Sequence, residues 1–118
     1  MKLTNIELEI MHVLWKSGTP MTATDIVAAS PKRTWKETSI HVILRTLQAK
    51  AAVVLDRYIP TTGRAAAAYI PALTAGQYAL SQIQESGFDV VGLIETIVGD
   101  EKAAGALIDQ GWVLKKKK

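Results

Sequence analysis

The chain has no cysteine and a single phenylalanine among its 118 residues, and its one asparagine is Asn5. Without cysteine there is neither a disulfide framework nor a thiolate metal site, which suits a reducing compartment. No apolar run approaches the roughly 18 residues needed to cross a bilayer. The start, MKLTNIELEI, has no apolar core followed by a small-residue cleavage site, so it does not read as a signal peptide and the simplest location is the cytoplasm. The glycines are scattered and form no phosphate-cradling loop. His12 and His41 fall on different helical segments with no carboxylate or cysteine constellation, so neither a metal site nor a nucleophilic triad is assembled. No catalytic residue, no metal and no cofactor is expected, and the chain does not read as an enzyme.

What is present is a core-forming composition, 48% apolar, enough for one compact domain with a short helical appendage. The charge is divided along the chain. Residues 1–70 hold nine Lys/Arg against five Asp/Glu, residues 71–114 hold one lysine against six acids, and the last four residues are lysine. A basic part followed by an acidic part points to contact with a polyanion first and self-association or regulation second.

Thr4 and Glu7 stand at capping-box spacing and predict a helix over about 5–17, with Leu8, Met11, Leu14 and Trp15 recurring at helical intervals and Gly18 ending it. Thr22 and Asp25 repeat the device for a short helix over about 23–29, with Ile26 and Val27 able to face inward and Pro31 closing it. A third helix is expected from near Trp35 to about Lys50, again with a box pair, Thr34 and Glu37. Its Ile40, Ile43, Leu44 and Leu47 define one apolar stripe. The opposite face holds Thr38, Val42, Arg45 and Ala49, flanked by His41 and Thr46: small, polar and fitted to a groove. AVVLDRY and AAAAYIP, joined by IPTTGR, predict a β-hairpin with Arg57 and Arg64 on its arms. Three helices followed by a hairpin in about 70 residues make the winged form of a helix-turn-helix domain.

Beyond Pro71 three further helices are expected, in TAGQYALSQIQESG, DVVGLIETIVGD and DEKAAGALIDQGWVL. The middle one is apolar around most of its circumference, too hydrophobic to stay exposed on a monomer. The expected architecture is therefore mainly α with a small β-hairpin: a winged helix-turn-helix domain over 1–72, dimerisation helices over 73–114, and a basic tail at 115–118. Burial against a second copy would use Tyr78, Val90, Val91, Leu93, Ile94, Ile97, Val98, Leu107, Ile108 and Trp112.

IELEIMHVLW followed by TWKETSIHVILRTLQAKAAV resembles the penicillinase and methicillin-resistance repressor family, the BlaI/MecI/CopY type. The resemblance rests on Glu7 to Met11 with Leu14–Trp15, on Trp35, Ser39, Ile40, Leu44 and Leu47, and on Gly63–Arg64 with Tyr69 to Pro71 in the hairpin. It covers about residues 4–71. This sequence departs from the family pattern at outward positions: Thr46 stands where arginine is usual, Val42 where threonine is, Lys50–Ala51 replaces Lys-Gly, and the wing is one residue longer. Copper-responsive members use C-terminal cysteines, and penicillinase repressors are cut at an Asn-Phe bond; this chain has neither feature.

The resemblance implies a transcriptional repressor acting as a homodimer on a palindromic operator in double-stranded DNA, released by an inducer or protease that the sequence does not identify. On this reading Thr38, Ser39, His41, Val42 and Arg45 are the candidates for base contact. Lys32, Arg33, Trp35, Lys36, Thr46, Arg57 and Arg64 are the candidates for backbone contact. Trp35 serves equally well as a cap on the core. Two rivals stand beside this reading: a winged-helix module that docks a protein, and a ligand-responsive regulator with its ligand between the wing and the C-terminal helices.

Overall fold

The structure, a computed structural model, describes residues 1–98. The third C-terminal helix expected from the sequence, with Leu107, Ile108 and Trp112, and the lysine tail lie outside the described residues. The chain divides into two compact units, Met1–Leu73 and Thr74–Lys118. The first holds α1 (Asn5–Ser17), β1 (Met21–Thr22), α2 (Ala23–Ala28), a 3₁₀ turn (Glu37–Ser39), α3 (Ile40–Ala49), β2 (Val53–Ile59) and β3 (Ala66–Pro71). The second holds α4 (Ala75–Ser86) and α5 (Val90–Val98). This is the winged helix-turn-helix arrangement, with one strand more than the hairpin foreseen: β1 pairs antiparallel with β3, giving the sheet order β1-β3-β2.

Three helices begin on the same device. Thr4 accepts from the Glu7 amide at 3.2 Å while the Thr4 amide donates to the Glu7 carboxylate at 2.8 Å. Thr22 and Asp25 repeat this for α2, and Thr74 and Gln77 for α4. Each box satisfies two of the amides a helix start leaves bare. Gly18 and Gly87 end α1 and α4 in the left-handed conformation, at φ 69° and 80°.

The start of α3 differs from the expectation. Thr34 and Glu37 form no capping box, and the helix is entered through the 3₁₀ turn without a side-chain cap. Thr34 is occupied elsewhere: its amide donates to Glu9 Oε1 at 3.3 Å and its hydroxyl to Glu9 Oε2. A carboxylate on α1 thus tethers the loop before α3, a contact across 25 positions that local spacing does not encode.

The core of the first unit is built from Ile10, Met11 and Leu14 of α1, Ile26 of α2, Ile40, Leu44 and Leu47 of α3, and Ala52, Val53 and Ala68 around the sheet. Trp15, Val27 and Ile43, all expected inside, are half-buried, as is Leu8. Trp15 lies at the margin because its indole N–H donates to the Leu73 carbonyl at 2.8 Å, a polar end that holds the ring part-way out. Lys50 at the end of α3 donates to Glu7 at 2.5 Å and to the Lys2 carbonyl at 3.1 Å, tying the last turn of α3 to the first turn of α1. Burial pushes the Glu7 carboxyl up, but the Lys50 ammonium and the Thr4 donors outweigh it and hold Glu7 below its ordinary value of 4.5.

α3 ends in a Schellman turn: the Ala52 amide donates to Leu47 and the Ala51 amide to Gln48, each at 2.9 Å. The turn requires a left-handed residue, and Ala51 supplies it at φ 58°. A Cβ in that conformation costs about 1 kcal/mol.

Three outcomes follow from these contacts. Ala51→Gly, at an exposed site, raises stability by about 1 kcal/mol in thermal or urea unfolding; an unchanged or lower value contradicts the strain. Because the folded Glu7 carboxyl is held low, its stabilisation is complete at neutral pH and is lost as pH falls below about 4.5; Glu7→Gln lowers stability at pH 7 and flattens that acid limb in pH-dependent melts. Glu9→Ala speeds amide exchange at Thr34–Lys36 by about tenfold, the loss of a bond to a charged acceptor, and leaves α1 and α3 protected.

Candidate nucleic-acid interface

The two faces of α3 are sharply different. Ile40, Leu44 and Leu47 are buried, whereas Thr38, His41, Val42, Arg45, Thr46 and Ala49 are exposed, with Val42 at 59%. The spacing of three and four residues sets the exposed group along one side, as a period of 3.6 requires. Their side chains are short apart from Arg45 and His41, so the surface is narrow enough to approach another body closely. Thr46 donates its hydroxyl to the Val42 carbonyl at 3.0 Å, so its donor is spent within the helix. Ser39, in the 3₁₀ turn, is half-buried. Beside Thr38 and His41 a shallow groove of about 540 Å³ runs between α2 and the start of α3, floored by Ala23, Val27, Ala28 and Ile40.

The loop ahead of α3 carries four of the residues expected to contact the DNA backbone, and the structure sorts them. Lys32 and Lys36 are exposed. Arg33 is half-buried: it donates to the Ser30 carbonyl at 3.2 Å, lies 5.7 Å from the centre of the Trp35 ring, and faces Glu37 at 3.7 Å. Trp35 is buried, 6% exposed, and its indole N–H has no hydrogen-bond partner among the described residues. In this conformation its indole N–H is covered from solvent. It closes the core beneath Arg33, a cation over an aromatic face.

The hairpin carries a bulge. Leu55 pairs with Tyr69 and Arg57 with Ala68, so β2 advances two residues while β3 advances one, and Asp56 is the extra residue. Side chains alternate along a strand and paired residues share a face, so this insertion moves Arg57 to the face opposite Leu55. Without it the two would point the same way. Arg57 and its neighbour Asp56 form an ion pair. At the tip, Thr61 donates to the Arg64 carbonyl and accepts from the Gly63 amide, and Arg64 is exposed. Tyr58, 64% exposed on the same arm as Arg57, was not singled out from the sequence. Its exposure identifies it as an outward aromatic, since both faces of this arm are open from Val54 to Tyr58.

The first unit therefore gathers six basic candidates on α3, the loop before it and the hairpin. Among the described residues, Lys32, Lys36, Arg45 and Arg64 have no acidic partner, while Arg33 and Arg57 have one each. No group of three His, Asp or Glu side chains able to hold a metal occurs among the described residues. In the second unit Tyr78, expected on an association surface, is buried instead. Phe88, Val91, Leu93, Ile94 and Val98 are exposed, Phe88 at 72%. The Val90 and Ile97 side chains lie outside the described residues. No described helix is long and apolar enough to cross a membrane.

The structure is similar to the crystal structure of a PadR family transcription regulator from hypervirulent Clostridium difficile R20291. The two share 14% sequence identity over 82% of this chain and 100% of that one, with a TM-score of 0.49. Comparison with curated proteins gives no match. The sequence pattern of the penicillinase repressor family matches residues 3–97, from the first buried leucine to the last turn of α5. With a match over that length, the chain belongs to the penicillinase repressor family, whose members are winged-helix, DNA-binding transcription regulators.

Proposed function

We propose that this protein is a sequence-specific repressor that binds a palindromic operator as a homodimer, with α3 in the major groove and the hairpin on the flanking backbone. The observation that carries the reading is the division of α3: its apolar stripe is buried and its short polar face, with Arg45, is open to solvent. Major-groove recognition asks for such a face. Arg45 is suited to the O6/N7 pair of guanine, Val42 to a thymine methyl, and Thr38 and His41 to base edges or phosphate. Ser39 stands deeper and Thr46 has spent its proton on its own helix, so both are secondary to these. Lys32, Lys36 and Arg64, unpaired among the described residues, are suited to phosphates. Trp35 holds the loop that presents them.

Residues 1–72 would then be the DNA-binding domain and residues 73–114 the dimerisation region, where the exposed Val91, Leu93, Ile94 and Val98 of α5 supply an apolar surface for a second copy. The tail at 115–118 would add backbone attraction. Two half-sites held together need only a few base contacts each, which fits a face with a single arginine. Operation on DNA makes the cytoplasm the working location.

Footprinting on the DNA upstream of its own gene is expected to show two symmetric protected half-sites, and the complex to contain two chains. Arg45→Ala, which removes one contact from each half-site, should weaken binding to that site by at least about 30-fold, the worth of two bidentate base contacts of about 1 kcal/mol or more each, while leaving random-sequence binding far less affected. Equal losses on both duplexes would place Arg45 on a phosphate, and no loss on either would remove α3 from the interface.

A further inference from the structure

Resting on the reading that the first unit meets DNA, we infer that Glu37 and Asp56 are built-in competitors for the phosphate backbone. Four basic residues of that surface have no acidic partner among the described residues, yet Arg33 beside α3 and Arg57 on the hairpin each face a carboxylate of their own. Neither acid is among the buried residues of the core, and the Asp56 side chain is 22% exposed. The Glu37 side chain is 69% exposed, and although it stands at the entry to α3 it closes no capping box there. Asp56 is the extra residue of the bulge, and the bulge is what brings two sequence neighbours, which would otherwise point to opposite faces, within reach of each other.

An exposed ion pair is a weak bond, so each arginine is withheld rather than lost. A phosphate engages Arg33 or Arg57 only by displacing the acid, and the displaced acid then repels the same strand. Both effects oppose backbone contact whatever the base sequence. A protein searching a genome is held back by sequence-blind binding, so acids placed beside two of its six cations lower that background while the base-reading face of α3 stays untouched. Glu37 and Asp56 thereby act as specificity-determining residues through their arginine partners.

The test uses the full chain and two duplexes, one of random sequence and one carrying the upstream site, across about 50 to 200 mM salt. Glu37→Gln and Asp56→Asn should each raise affinity for the random duplex by about threefold, and together by about tenfold. The salt dependence should steepen by about 0.9 for each arginine released onto a phosphate. The ratio of specific to random affinity should not rise. Glu37→Gln made in an Arg33→Ala background, and Asp56→Asn in an Arg57→Ala background, should give no gain, because the acid acts through its partner. The arginine-deleted backgrounds also control for a change of net charge alone, and thermal melts confirm that the variants keep their fold. Equal gains with and without the arginine, or no gain in either acid variant while the wild type binds with ordinary salt dependence, overturn the competitor role only. A wild type that binds neither duplex overturns the DNA reading and this inference together.

Discussion

The geometry of the first unit depends on the carboxylate of Glu7. It closes the capping box that starts α1, and it takes the Lys50 ammonium at the end of α3 at 2.5 Å. A buried acid left alone would be costly, and the two roles offset each other's demands: the helix start supplies amide donors and Lys50 supplies the charge. The result fixes the exit of α3 against the entry of α1. At the other end Glu9, on the same helix, holds the loop through Thr34. α3 is thus tethered at both ends to one helix, with its outward face on the side away from the core.

That placement explains why the polar face is so small. Ile40, Leu44 and Leu47 fill the core on one side, so identity on the other side is free of packing demands. Thr38, Val42 and Arg45 are exposed, so the core does not fix their identity. Two of the departures from the family pattern, Val42 and Thr46, fall on this side, and the others lie at the end of the helix and in the wing.

Much of the fold was legible because its signals are local. The capping pairs Thr4–Glu7 and Thr22–Asp25, the stripe of Ile40, Leu44 and Leu47, and the turn residues Pro60 and Gly63 each act within a few positions. What the sequence did not disclose is long-range. Thr34 and Glu37 have the right spacing for a box, yet Glu9 captures Thr34 across 25 residues and the helix begins later through a 3₁₀ turn. β1 has two residues, too short for any alternation to show, and exists because β3 offers it a free edge. Trp35 could be read either as a backbone contact or as a cap on the core; the ring is in the core, and Arg33, read as a backbone contact, lies half-buried against it. Tyr78 was expected on an outer face because helical periodicity alone does not say which side of α4 is covered. The candidate face of α3 was visible in a helical wheel; the pairing of Arg33 and Arg57 with acids was not, since it turns on loop conformation and on a single inserted residue.

That inserted residue has a further consequence for how relatives of this chain are compared. In a strand, orientation is a matter of parity, so a hairpin arm behaves like a message read in steps of two. The bulge at Asp56 shifts the frame for everything toward the tip, Arg57, Tyr58 and Ile59 included. Losing one position there would exchange which flank of the wing is cationic and which is aromatic, with no change in composition and little in the core. Aligning hairpins by chemical type alone therefore misassigns their outer surfaces wherever lengths differ by one, and an odd difference in length is a reversal of sides rather than a small extension.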